Sequence, residues 1–178
     1  LEIAKYMSIN DYQPTLDLCQ RTLDDLGTLD YQDAKAIAAI SYQFIACCIQ
    51  LKRYEAGKRQ IDIILSIQQP ASFNWFKAHE LYLNLCLHTQ QYDTASDIYN
   101  AVTKHRKFKF LPTSVKEVWN IYQAWLYLLS QVGWISSSHW DHLPASRFRA
   151  SRFINDMNVF SKDKKGLNIP ILVIYILL

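Results

Sequence analysis

The apolar positions of residues 34 to 68 predict two antiparallel helices joined by a short turn. They recur at steps of three and four, which places them on one face of each helix. The polar break Lys52-Arg53 allows only a tight connection between the two runs. Pro70 ends the second run because its ring excludes the preceding residue from helical geometry. The apolar positions are Ile37, Ile40, Phe44, Cys48 and Leu51, then Tyr54, Gly57, Ile61 and Ile64.

The same pattern recurs around three tyrosines. Tyr12, Tyr54 and Tyr92 are separated by 42 and 38 residues, a period typical of helical solenoids. In the last two copies, a cysteine stands six residues before the tyrosine, a small residue three after it and a large residue seven after it. A small residue at that point lets two helices approach closely. The aligned pairs are Cys48 and Cys86, Gly57 and Ala95, and Ile61 and Tyr99.

This arrangement resembles the tetratricopeptide repeat (TPR), in which a small residue follows the turn between two helices and large residues alternate with it. Residues 30 to 133 carry the resemblance best. The copies are longer than the usual 34 residues, and Ile45 and Leu83 stand where the family favours a small residue. The resemblance implies an all-α fold, with antiparallel helical hairpins stacked as a TPR-like α-solenoid.

The periodic and aperiodic stretches divide the chain into three predicted regions. Residues 1 to 133 are predicted to form the TPR-like helical repeats, and the Ser-rich, aperiodic residues 134 to 146 a loop. Residues 147 to 178 are predicted to hold a basic helix from about Arg147 to Met157, a polar turn at SKDKKG, and an apolar terminal helix that continues the array. The last helix of the first region should end at Gly133, with an inward stripe of Val115, Val118, Tyr122, Trp125, Leu129 and Val132.

The terminal run NIPILVIYILL is almost entirely apolar. Asn168 can cap a helix and Pro170 suits its first turn, whereas the β-branched content leaves a strand as the alternative. The run is shorter than a membrane-spanning helix, which needs about 20 residues. The start of a truncated transmembrane segment is a further alternative. Because a helix points side chains in every direction, we expect some of the run to meet a further partner, with self-association as one result. We expect the chain to be a fragment of a longer bacterial protein.

Composition and charge favour long helices and an uneven surface. The chain has only 4 glycines and 5 prolines in 178 residues and a net charge of +3, with −4 in residues 1 to 50 and +7 in the remainder. The segments KHRKFK and RFRASRF interleave cations with phenylalanine, as expected where phosphate contacts and base stacking combine. Cations are also ordinary in the last turns of helices. This basic patch comprises Lys104, Arg106, Lys107, Lys109, Arg147, Arg149 and Arg152.

The cysteines and histidines favour structural roles over chemistry. The cysteines lack paired spacing, which is typical of small core residues in a reducing compartment. The chain has no Gly-rich phosphate loop, nucleophile motif or HExxH spacing. We therefore expect a cytoplasmic protein that is not an enzyme, with no catalytic residue, cofactor or metal. The residues concerned are Cys19, Cys47, Cys48 and Cys86, and the helical His79, His88 and His105.

The TPR resemblance implies a groove, lined by the first helix of each hairpin, in which a peptide can lie. The implied lining is mostly amide and aromatic, unlike that of the repeats that grip acidic C-termini with several Lys and Arg. We expect a non-enzymatic scaffold that binds a peptide or protein. The alternatives are a sensor or regulatory segment of a longer bacterial regulator, and nucleic-acid binding through the basic C-terminal part. The implied groove residues are Tyr42, Gln43, Ala46, Gln50, Lys77, Glu80, Asn84, His88, Asn120, Gln123, Tyr127 and Gln131.

Overall fold

The computed structural model describes residues 2–28, 33–136, 140, 148–156 and 168–178. Within these residues the fold is all-α and contains no strand, which confirms the predicted class. The chain divides into two compact units, unit 1 (Leu1–Gln91) and unit 2 (Tyr92–Leu178). The helices are α1 (Glu2–Ser8), α2 (Tyr12–Gly27), α3 (Ala34–Gln50), α4 (Tyr54–Ile67), α5 (Phe73–His88), α6 (Tyr92–Thr103), α7 (Thr113–Gln131), α8 (Ala150–Asp156) and α9 (Asn168–Leu177).

Helices α1, α3, α5 and α7 end in the same backbone motif. The second residue after the helix takes a positive φ, and the N–H of the residue that follows it donates to the carbonyl five positions earlier, as in a Schellman cap. The positive φ angles are 58° at Asn10, 54° at Lys52, 62° at Gln90 and 75° at Gly133. The N–H to O distances that close these turns lie between 2.8 and 3.0 Å. Each tyrosine of the sequence repeat begins a helix two residues after one of these turns.

In unit 1, α1 packs on α2, α2 packs on α3, and α3, α4 and α5 contact one another. Helices α3, α4 and α5 approach closely at Gly57, which is buried. A Cβ there would lie 2.6 Å from Leu85 Cδ2 and 3.1 Å from Cys48 Cβ, so any other residue would force these side chains to shift. Phe44, Cys48 and Ile61 lie in the same core, which confirms the predicted packing of α3 on α4.

Two of the three aligned positions of the repeat are buried in every copy. Three residues after the tyrosine, the chain has Thr15, Gly57 and Ala95, and all three are buried. Seven residues after it, Cys19, Ile61 and Tyr99 are also buried. The sequence alignment therefore identified equivalent core positions.

The four cysteines are free and fully buried, which confirms their prediction as core residues. Burial raises the pKa of Cys19 and Cys47 to about 11, and that of Cys48 and Cys86 to about 12. These thiols stay protonated at neutral pH and act as small apolar side chains.

In unit 2, α6 packs on α7, and α7 also contacts α8 and α9. The inward stripe predicted for α7 is confirmed only in part, since Tyr122 is buried, Val132 is 62% exposed and the other four residues are half-buried. The reason is that α7 has partners on two sides. Aromatic residues of α6 and of the following segment cover one side, and α8 and α9 cover another. The buried residues of α7 are Trp119, Ile121, Tyr122, Ala124 and Leu126.

The C-terminal elements agree in part with the prediction. Residues Asn168–Leu177 form a helix, α9, and not the alternative strand, and Pro170 lies in the first turn of this helix. Helix α8 begins at Ala150, later than predicted. Most of the predicted loop at 134 to 146 and the turn at SKDKKG lie outside the described residues. The boundaries predicted at 133 and 146 stay predictions. No helix of the described residues has the length and apolarity needed to cross a membrane.

Candidate functional site

Helices α3 and α5 contact each other in unit 1. From the middle of α3, the Tyr42 hydroxyl donates a hydrogen bond over 3.3 Å to the carbonyl oxygen of Asn74, in the first turn of α5. The hydroxyl of Tyr54, the first residue of α4, lies 3.5 Å from that of Tyr82 in the middle of α5. The groove residues predicted on these two helices are therefore brought into one region.

We call these residues the α3/α5 surface. Each of them is exposed or half-buried, whereas Ser41, Ile45 and Ala78 on other faces of the two helices are fully buried. The predicted residues thus belong to the solvent-facing sides of both helices. The α3/α5 surface consists of Tyr42, Gln43, Ala46, Gln50, Lys77, Glu80, Asn84 and His88.

The amide groups of the α3/α5 surface are uncommitted. Within the described part of the chain, the side chains of Gln43, Gln50 and Asn84 make no hydrogen bond to other groups. A primary amide offers two donors and an acceptor. Three such groups on neighbouring helices can pair with the N–H and C=O groups of a peptide backbone.

The charged groups of this surface largely compensate one another. Lys77 Nζ lies 2.6 Å from Glu80 Oε1, so this pair brings little net charge. Burial lowers the pKa of His88, and the Lys52 cation lowers it further, which favours a neutral imidazole at pH 7. Burial raises the pKa of Tyr42, so its hydroxyl remains a donor. The surface therefore favours a partner without dense charge.

The groove residues predicted on α7 belong to unit 2. Asn120 and Gln131 are exposed, and Gln123 is half-buried. The Tyr127 ring packs against Phe148, with centroids 4.9 Å apart and planes inclined by 37°. Tyr127 thus contributes to packing inside its own unit, a role that helical spacing did not reveal.

The described cations of the basic patch are all exposed. Lys104, Arg106, Lys107 and Lys109 follow α6 in a segment that includes the short 3-10 helix Phe108–Phe110. The Phe108 ring packs edge-on against Trp119, whereas Phe110 is 76% exposed with Lys109 Nζ 5.0 Å from its centroid. Arg149 and Arg152 are exposed near and on α8, and Arg147 lies outside the described residues.

His79 is held by its own helix, as expected for a structural histidine. Its Nδ1 lies 2.9 Å from the Trp75 carbonyl oxygen, and its ring contacts the Trp75 ring with centroids 3.9 Å apart and planes inclined by 42°. A carbonyl only accepts, so Nδ1 carries the hydrogen. Among the described residues, no three His, Cys, Asp or Glu side chains come together as a metal site would require.

The sequence did not single out Trp134 as a surface feature. It follows the positive-φ Gly133 and stacks on Tyr92, with centroids 5.5 Å apart and planes inclined by 10°. No spacing signal links the two residues, because they come together only through the packing of α6 and α7.

Comparison of the chain with protein-family models, curated proteins and solved structures finds no match.

Proposed function

We propose that the chain is a non-enzymatic scaffold of TPR-like repeats that binds a peptide or protein along the α3/α5 surface. The observation that carries this proposal is the side-by-side placement of α3 and α5, each with uncommitted amides on its solvent-facing side. Such a surface offers hydrogen bonds at intervals along a bound chain. The exposed part of the Tyr42 ring adds contact area at low conformational cost.

The recurring turn supports the repeat assignment. Its positive-φ residues, Asn10, Lys52, Gln90 and Gly133, follow one another at intervals of 42, 38 and 43 residues. The first three are each followed by a helix with buried residues at equivalent positions. A repeat of this length places one helix of each hairpin beside its counterpart in the next hairpin. In unit 1, α3 contacts α5 in this way. Helix α1 also approaches α3, where Met7 Sδ and Cys47 Sγ are 3.8 Å apart.

Selection from a random peptide library displayed on phage, with the full chain as bait, tests this proposal. The three amides are replaced together in a variant with Gln43→Ala, Gln50→Ala and Asn84→Ala. A matched control carries Glu55→Ala, Arg59→Ala and Asp62→Ala on the exposed side of α4. Selected peptides should bind the control as they bind the native chain, and the amide variant at least about tenfold more weakly, since each lost hydrogen bond costs about 1 kcal/mol. Equal binding to all three proteins would refute the assignment of the site.

Nucleic-acid binding is the second candidate, and the exposed Phe110 beside Lys109 favours it. An aromatic ring in a basic segment can stack on a base while cations contact phosphates. Such binding should weaken steeply with salt, and charge reversal of Lys104, Arg106, Lys107 and Lys109 should abolish it. Reversal of Arg147, Arg149 and Arg152 tests the other half of the basic patch. The absence of a gel shift with RNA or DNA at low salt would exclude this candidate.

A further inference from the structure

Helix α9 has two apolar faces, and among the described residues only one of them is buried. Ile171 and Ile174 are fully buried in a cluster with Ile121 and Ala124 of α7. The opposite face contains only large aliphatic side chains, at steps of three and four, and reaches 83% exposure at Ile176. This outward face of α9 consists of Ile169, Leu172, Val173 and Ile176.

Cations lie beside this helix. The Phe153 ring of α8 contacts the Tyr175 ring of α9 edge-on, with centroids 6.0 Å apart, so the two helices are neighbours. Arg149, just before α8, and Arg152, on α8, are exposed. In the sequence, residues 147 to 178 contain six Lys or Arg and two Asp or Glu, a net charge of +4.

We infer that the outward face of α9 inserts into the surface of a bilayer that contains anionic phospholipid. A helix of this kind lies in the plane of the membrane, with its apolar side chains at the boundary between headgroups and acyl chains. Arg149 and Arg152 then contact lipid phosphates, whose charge is opposite to theirs. This role is independent of peptide binding at the α3/α5 surface.

The size and charge of the face favour a membrane over a second copy of the chain. A ten-residue helix is about 15 Å long, and four aliphatic side chains present an area on the order of a few hundred Å². A stable protein interface buries about 800 Å² on each partner. Two copies would also bring together two segments of charge +4. A bilayer surface sets no such minimum area and attracts that charge.

Vesicle flotation with the full chain tests the inference. Vesicles of phosphatidylcholine alone are compared with vesicles of equal parts phosphatidylcholine and phosphatidylserine. The native chain should float with the second kind at low salt, and less so at high salt. Leu172→Gln with Ile176→Gln should weaken this binding by at least about tenfold through loss of apolar burial. The matched control, Ile63→Gln with Ile67→Gln on the exposed side of α4, should bind like the native chain.

A second pair of variants tests the charge. Arg149→Glu with Arg152→Glu should weaken binding to the phosphatidylserine vesicles, whereas Lys35→Glu with Arg59→Glu in unit 1 should not. Circular dichroism checks that each variant keeps its helices, which is expected because all the substituted residues are exposed.

Several outcomes would overturn the inference. They are no flotation of the native chain at low salt, equal binding to both kinds of vesicle, or native-like binding by either the α9 variant or the arginine variant. A second copy of the chain would be the partner of the outward face instead if three results were found together. The native chain would sediment as a dimer, the variant with Leu172→Gln and Ile176→Gln would sediment as a monomer, and the native chain would not bind vesicles.

Discussion

The two units use similar helices but differ in how completely they cover their apolar and polar groups. Unit 1 contains eight Lys or Arg and ten Asp or Glu, and unit 2 contains eleven and six, so their net charges are −2 and +5. Most of the large exposed apolar residues of the described chain lie in unit 2. In unit 1 they are Ile9, Ile63, Ile67 and Phe73, and in unit 2 Phe110, Val132, Trp134, Ile169, Leu172, Val173, Ile176, Leu177 and Leu178.

The buried polar side chains of the two units differ in whether they have a hydrogen-bond partner. In unit 1, Gln60 Nε2 donates to Ser41 Oγ over 2.6 Å, and the Thr15 hydroxyl donates to the Asp11 carbonyl over 2.7 Å. Among the described residues, the buried side-chain atoms without a hydrogen-bond partner are Asn100 Oδ1 and Trp119 Nε1, both in unit 2. Among the described residues, the unpaired buried polar atoms and most of the large exposed apolar side chains therefore belong to unit 2.

The largest expected effect breaks the close packing of unit 1. Gly57→Leu should lower the free energy of unfolding by about 2 to 3 kcal/mol, because the new side chain overlaps Leu85 and Cys48. Gly27→Leu is the matched control, since a Cβ at Gly27 meets no other atom within 4 Å. Urea denaturation followed by circular dichroism measures both. Equal stability of the two variants would mean that α3, α4 and α5 are not held as closely as described.

A smaller change in stability is expected from substitutions that compare the buried polar groups of the two units. Gln60→Leu should cost about 1 to 3 kcal/mol, because it leaves the buried Ser41 hydroxyl without its donor. Asn100→Leu should change stability by less than about 0.5 kcal/mol or increase it, since the Asn100 oxygen already lacks a partner. The same denaturation measurement compares the two variants. A larger loss for Asn100→Leu than for Gln60→Leu would contradict the contrast between the units.

The smallest expected effect is a pH dependence of unit 1 that involves His79. Burial lowers the pKa of His79 below 6.5, although its hydrogen bond to the Trp75 carbonyl opposes this shift. The unfolded chain therefore binds a proton at a higher pH than the folded chain does. The stability due to neutral His79 is fully present above pH 6.5 and is lost as the pH falls through the lower folded pKa.

Unfolding at a series of pH values below neutrality measures this dependence. The variant His79→Gln lacks the imidazole, so its free energy of unfolding should fall less steeply as the pH is lowered. The pH dependence that remains in this variant should include the contribution of His88, whose pKa is also lowered. An equally steep decline in His79→Gln would assign the pH dependence to other groups.

The sequence predicted much of the architecture because local spacing controls it. The three-and-four periodicity located α3 and α4, and the tyrosine repeat located the turns before α2, α4 and α6. The residues that the TPR resemblance implied for the groove on α3 and α5 are exposed or half-buried, whereas the burial of Ser41 and Ile45 on α3 was not part of the predicted stripe. Asn168 and Pro170 favoured a helix for α9, as observed.

Tertiary structure decided which helical faces are covered and which side chains remain available. The buried face of α7 differs from its predicted stripe because neighbours approach this helix from two sides, and the spacing within one helix carries no information about that. Tyr127 is covered by Phe148 for the same reason. A helical period fixes which residues share a face, but only long-range packing determines what lies against that face.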